Sequence, residues 1–285
     1  MKYLFYSTLI YFFASQSVAL ATSDTLYIVY TANINGMIQN CNCGKEPLGG
    51  MGRVKSYIDK VRSESKHILV MDGGDYFNTY PYLELNQALA KVQQLVKYDV
   101  ILPGDQAFVE GLSFFTELQQ KNGMNWVISN FKNFTQKSKK INFVSFDVEV
   151  YGYLSPGSFS FITLPDNQKL LSYDELPATD LAMGEKNLNI MIVHGNEEDA
   201  ISIRDYYPGI DLILTAHTQN QKARNFSHTP IVGCGKDGEY IALIKAYLDE
   251  SKWKFEIVFE KMHSGIADDL SVLSIIEEFE LSKTD

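Results

Sequence analysis

Asp75, Asp105, His194 and His217 each follow a short apolar run and stand next to a glycine or an alanine. Carboxylates combined with imidazoles form a donor set for Zn, Mn or Fe, so these four are candidate ligands of a divalent ion. Asn33, Asn35 and Gln219 occupy similar places and add amide oxygens, which bind hard cations weakly and transition metals poorly. All seven belong to five polar breaks in the chain. They are Thr31-Ala32-Asn33-Ile34-Asn35-Gly36, Asp72-Gly73-Gly74-Asp75, Gly104-Asp105-Gln106, His194-Gly195-Asn196 and Ala216-His217-Thr218-Gln219. Ligands of an open α/β sheet gather beyond the carboxyl ends of its strands. The five breaks therefore predict one polar pocket fed by five strands.

The runs before the breaks are strand-like: Leu26-Tyr27-Ile28-Val29-Tyr30, Ile68-Leu69-Val70-Met71, Val100-Ile101-Leu102, Ile190-Met191-Ile192-Val193 and Leu212-Ile213-Leu214. Helical patterns fall between them at residues 51–63, 82–97 and 110–121, and Trp126-Val127-Ile128-Ser129 reads as a fourth strand. Strands alternating with helices predict a largely parallel sheet with covered faces. Between residues 141 and 164 the texture changes to alternating strands and Gly/Pro/Ser turns, which predicts antiparallel pairing. A helix at 198–206 precedes the last of the five runs, and residues 229–232, 240–248 and 253–259 read as further antiparallel strands. Residues 268–282 form an amphipathic helix whose leading Asp268 and Asp269 suit its dipole. The expected organisation is one mixed α/β domain over residues 22–265, followed by a terminal helix at 266–285.

With 285 residues, 45% of them hydrophobic, the chain can bury a full core. A net charge of −10 opposes binding to nucleic-acid backbones and to anionic lipid. The basic cluster Lys137-Ser138-Lys139-Lys140 reads as a solvated turn. At the amino terminus, Lys2, an apolar stretch at 4–14 and the small-x-small sequence Ala19-Leu20-Ala21 predict a signal peptide over residues 1–21. That stretch is too short to span a bilayer comfortably. The expectation is an exported protein, periplasmic or secreted, with no stable membrane insertion after cleavage.

The order and spacing of the breaks resemble the calcineurin-like metallophosphoesterases, above all their 5′-nucleotidase/UDP-sugar hydrolase branch. Those proteins carry T-N-D-x-H-G after the first strand, G-D after the second and G-N-H-E after the third. A His-Gly and a G-H-x-H or G-H-x-Q follow later strands. Gly49-Gly50-x-x-Arg53, Tyr98-Asp99-Val100 and Ser129-Asn130-Phe131 match as well, and the likeness spans residues 25–260. The resemblance implies a four-layer α/β/β/α metallophosphatase sandwich. It also implies a metal-dependent phosphoester hydrolase acting on a small phosphorylated, nucleotide-like substrate.

In that family two metal ions share a bridging Asp and together stabilise charge on the phosphoryl oxygens. Carried over residue by residue, one ion falls to Asp75, Asp105, His194 and His217. The other falls to Asn33, Asn35, Asp75 and Gln219, where the family has Asp, His, the bridging Asp and Gln or His. The first set is nearly whole and the second is weakened. The implied cofactor is one tightly held divalent ion (Mn, Zn or Fe) with a second weak or absent. Asp105 replaces a family Asn while Asn33 replaces a family Asp, so the number of ligand carboxylates is unchanged. Asp105 and Gln106 are the implied catalytic pair. The family His at the place of Gln106 stabilises the transition state or protonates the leaving group, and Gln has no proton to give near neutral pH. Full 5′-nucleotidases sandwich the base with a further C-terminal domain, so nucleotide specificity is not carried over.

Cys41 and Cys43 lie in the long loop after the first break, and Cys234 follows the last. All three are expected near the pocket mouth. The stretch from Asn35 through Cys41-x-Cys43 to Arg53 resembles a subgroup of bacterial 5′-nucleotidase-like proteins. Three readings stay open: thiolates replacing the missing ligands, a strained redox pair, or a structural loop disulfide beside a buried lone thiol. Two rivals to hydrolysis follow. One is a catalytically inactive binding or thiol-redox module using Cys41 and Cys43. The other is a structural pseudoenzyme whose terminal helix docks a protein partner.

Overall fold

The computed structural model describes residues 25–40, 46–121, 123–162, 164, 169–176, 187–226 and 228–283. The expected signal peptide lies outside these residues. The elements begin with β1 (Leu26–Thr31), α1 (Met51–Glu64), β2 (Ile68–Asp72), α2 (Leu83–Val96), β3 (Val100–Ile101) and α3 (Leu112–Lys121). Next come β4 (Ser138–Asn142), β5 (Asp147–Leu154), β6 (Asn187–Gly195), α4 (Glu197–Tyr206) and β7 (Leu212–His217). The chain continues through β8 (Gln221–Phe226), β9 (Thr229–Cys234), β10 (Tyr240–Asp249), β11 (Lys252–Lys261) and α5 (Leu270–Ser282).

The strands form two sheets, ordered β11-β10-β1-β2-β3 and β4-β5-β6-β7-β9-β8. Helices α1, α2 and α5 pack on one another and α1 on β2, whereas α4 lies against β6 and β7. The result is the four-layer α/β/β/α sandwich, a single domain. Among the described residues no helix is long and apolar enough to cross a membrane.

Side-chain alternation explains why the middle of a central strand is apolar on both faces. In β6, Leu188, Ile190 and Ile192 enter the large core between the sheets, while Met191 and Val193 join a second cluster beneath α4. A strand buried on both faces carries no polar alternation. The sheets are also tied directly, since Tyr30 Oη donates to the Thr215 carbonyl across the core (2.9 Å).

Several expectations change. Residues 126–129 are not a strand: Trp126 makes only an isolated bridge to Ile101. This segment crosses from one sheet to the other, with Val127 N donating to Ile101 O and Ser129 N to Gly152 O. No run of residues can pair continuously with two sheets at once. Residues 138–140 of the basic cluster belong to β4, with Lys140 paired to Asp147, and are not a solvated turn. Of the expected antiparallel region, β4 and β5 pair that way, yet β5 runs parallel to β6. Similarly, β9 is parallel to β7 and antiparallel only to the unforeseen edge strand β8. The terminal helix starts as its charges suggest, with the Asp269 side chain accepting from Ser271 N and Val272 N.

Candidate metal centre

The breaks after β1, β2, β3, β6 and β7 meet at one end of the two sheets. Their backbones are unusual: Asn33, Asn35, Asp75 and His217 all have positive φ, between 52° and 72°. Asn and Asp tolerate this left-handed region, but a His there is uncommon, and such residues cost of order 1–3 kcal/mol each. The second and third breaks pack backbone to backbone. A Cβ on Gly74 (φ 99°) would lie 2.6 Å from Gly104 N, and one on Gly104 (φ 71°) would lie 2.5 Å from Asp75 N. Glycine is therefore required at both positions for Asp75 and Asp105 to approach.

Four of the predicted residues come together. One ligand atom from each of Asp75, Asp105, His194 and His217 lies within 4.8 Å of the others. His194 Nε2 is 2.8 Å from Asp105 Oδ1 and 3.4 Å from Asp75 Oδ1. His217 Nδ1 is 3.3 Å from Asp105 Oδ1 and 3.6 Å from Asp75 Oδ2. The other nitrogen of His194, Nδ1, faces the Gly73 carbonyl at 3.0 Å, which fixes the ring and turns Nε2 to the cluster. His194 is fully buried, whereas the His217 side chain is 38% exposed, so the centre opens to solvent on that side.

Electrostatics tie the four together. Burial opposes a charge on His194, but the Asp75 and Asp105 carboxylates outweigh it and raise the imidazole above its ordinary value. The Asp105 and Asp75 carboxylates hold His217 up at about 10. For Asp105 burial alone would raise the carboxyl, yet His194 and His217 hold it well below the usual range. Asp75 Oδ1 and His217 Nδ1 are buried without a well-directed hydrogen bond. Two carboxylates and two imidazoles whose ligand atoms converge fit a divalent ion, which would take the place of the imidazole protons.

The remaining predicted residues are arranged differently. Asn33 is buried; its Oδ1 accepts from His217 N (2.8 Å) and its Nδ2 donates to Gly235 O (2.8 Å). Asn35 Nδ2 donates to Asn33 O (2.8 Å) and to Asp237 Oδ1 (2.9 Å). The buried Gln106 amide lies 3.1 Å from Asn35 Oδ1 and 3.3 Å from Thr79 Oγ1, with the Asp75 and Phe77 carbonyls at its other end. Gln219 is exposed. Asp237 had not been foreseen. It sits with positive φ in the glycine-flanked turn after β9, and its backbone N donates to Asn33 O (2.7 Å). An Asp in a Gly235-Lys236-Asp237-Gly238 turn directly after a strand was the available signal.

Cys234 closes β9 and is 1% exposed, within the core between the sheets. Burial, and then the nearby Asp72 carboxylate, push its thiol up. It is not at the pocket mouth, because an apolar strand end carries it inward with Val232. Cys41 and Cys43 lie outside the described residues.

No family model matches the chain. The snake venom 5′-nucleotidase of Crotalus adamanteus is 21% identical over 273 residues, covering 84% of this chain and 45% of the relative. The chain thus spans about half the length of the curated relatives it matches (45%). The 5′-nucleotidase precursor from Thermus thermophilus superposes with a TM-score of 0.79 at 16% identity, over 91% of this chain and 59% of that one. The calcineurin-like phosphoesterase YfkN from Bacillus subtilis superposes at 0.69 and 16% identity, over 91% of this chain and 98% of that one. The two-sheet layering agrees with these likenesses. The chain has the calcineurin-like metallophosphoesterase fold, in the form found in 5′-nucleotidases.

Proposed function

We propose that this protein is an exported, metal-dependent phosphoester hydrolase that acts on a small phosphorylated substrate such as a nucleotide. The observation that carries the reading is the convergence of Asp75, Asp105, His194 and His217 at the strand ends of a metallophosphoesterase sandwich. These four would hold a divalent ion, with Mn, Zn and Fe suited to the donors. When bound, such an ion supplies Lewis acidity toward phosphoryl oxygens.

The chain's own residues do the rest. The Gly73 carbonyl orients His194, and the two carboxylates balance cationic charge in a largely buried setting. Partly exposed, His217 forms the rim by which substrate enters. Gln106 adjoins Asp105 but carries no acidic proton, so leaving groups that need little protonation are favoured. Nitrophenyl phosphate is expected to turn over faster than an alkyl phosphate or a nucleoside monophosphate.

Export follows from the residues before Thr22, and amino-terminal sequencing of the mature protein is expected to begin there. The activity is tested on protein purified without chelators, with nitrophenyl phosphate, its diester and nucleoside monophosphates in Mn, Zn and Fe. Metal-dependent turnover that disappears in His194→Ala supports the reading. Absence of both bound metal and turnover contradicts it.

A further inference from the structure

We propose that Asn33 is a positioning residue and not a metal ligand: it clamps the His217 turn, and the clamp leaves this chain with a mononuclear centre. The inference rests on the metal-dependent reading above and departs from the two-ion arrangement of the family. Asn33 is 1% exposed and ties together four loops. Its N donates to Gly74 O (2.8 Å), and its O accepts from Asp237 N (2.7 Å). From the side chain, Oδ1 accepts from His217 N and Nδ2 donates to Gly235 O, both at 2.8 Å.

The chemistry of the amide is the core of the argument. His217 has φ 72°, a conformation that persists only where its surroundings over-determine it. An amide presents a donor and an acceptor side by side, so it satisfies the His217 N–H and the Gly235 carbonyl at once. A carboxylate at position 33 would still accept from His217 N, but its second oxygen would face the Gly235 oxygen, acceptor against acceptor. Replacing the ligand carboxylate by an amide therefore exchanges a metal-binding charge for a structural clamp.

Asn35 is held within the protein by its Nδ2, which serves Asn33 O and Asp237 Oδ1. Gln219 is exposed. Of the residues that would hold a second ion, Asp75 alone is anionic, and it already belongs to the four-residue centre.

The test combines cobalt titration, read by the visible spectrum and by total cobalt per chain, with hydrogen exchange of the His217 amide followed by NMR. Wild type is expected to bind one equivalent and to protect the His217 amide well beyond that of the neighbouring Thr218. In Asn33→Asp, cobalt is expected to remain at one equivalent, with affinity about 10–100-fold lower, as for loss of a group that orients a ligand. In Asn33→Ala, which removes the acceptor, the His217 amide should exchange faster and cobalt affinity should fall alike. A tight second equivalent in wild type would overturn the mononuclear centre. A His217 amide that exchanges like Thr218 in wild type would overturn the clamp, and that arm does not depend on any variant folding. Wild type that takes no cobalt while the amide stays protected would contradict the metal-dependent reading and leave the clamp standing.

Discussion

On one side of Asp75 stand Asp105, His194 and His217; on the other stand Asn33, Asn35 and Gln106. Both groups are polar, both lie at strand ends, and both depend on left-handed backbone. In the first, side-chain atoms are turned toward one another and two buried ones lack a well-directed hydrogen bond. In the second, amides pair with backbone carbonyls, a backbone N–H and the Asp237 carboxylate. Residue type at a strand end does not by itself make a ligand. What matters is whether the side chain's hydrogen-bonding capacity is already satisfied within the protein.

The strongest way to break this comparison is to remove a ligand from the first group. His194→Ala is expected to abolish tight metal binding and to lower turnover by more than about 100-fold, above the usual cost of losing an orienting partner. Metal analysis and steady-state kinetics check it. If the variant keeps its metal, the two sides of the pocket are not different in kind.

A second prediction uses the two aspartates of one turn. Asp75 enters the cluster, while Asp72 is fully buried, accepting from Gly74 N and from Thr31 Oγ1. Burial pushes the Asp72 carboxyl from 3.8 up to about 7. The folded state thus binds this proton more tightly than the unfolded chain does. The associated stability is complete at pH below about 3.8 and is lost as pH rises through about 7. Asp72→Asn should flatten that part of the stability profile, a difference on the order of a few kcal/mol. Denaturant melts across this pH range measure it, and identical profiles would show that Asp72 is not the group responsible.

Smaller effects separate framework from centre. Asn196 caps α4, its side chain accepting from Asp199 N while Asp199 accepts from Asn196 N. Asn196→Ala should cost about 1 kcal/mol of stability with metal content unchanged. Gln219→Ala should alter stability by no more than about 0.5 kcal/mol and leave metal stoichiometry as it is. A marked loss of metal in this last variant would return Gln219 to the ligand set.

Much of this was legible in the chain. Apolar runs ending in Gly-flanked Asp or His announced the strands and the four converging residues, because burial on both faces and close backbone approach each restrict residue type. The clamp was not legible. Asn33 reaches the backbones of residues 184 and 202 positions away, and backbone partners leave no trace in side-chain identity. Strand β8 escaped notice because the edge sequence Gln221-Lys222-Ala223-Arg224-Asn225 is polar, as exposed edges are. Trp126-Val127-Ile128 has strand composition for a different reason: it is buried where it crosses between the sheets.

The central claim, one divalent ion held by Asp75, Asp105, His194 and His217, is tested most directly by counting metal. Total Mn, Zn and Fe per chain is measured by mass spectrometry on protein purified without chelators, alongside nitrophenyl phosphate turnover. One equivalent per chain with turnover that follows it is the predicted result. Two equivalents, or none, would contradict the account.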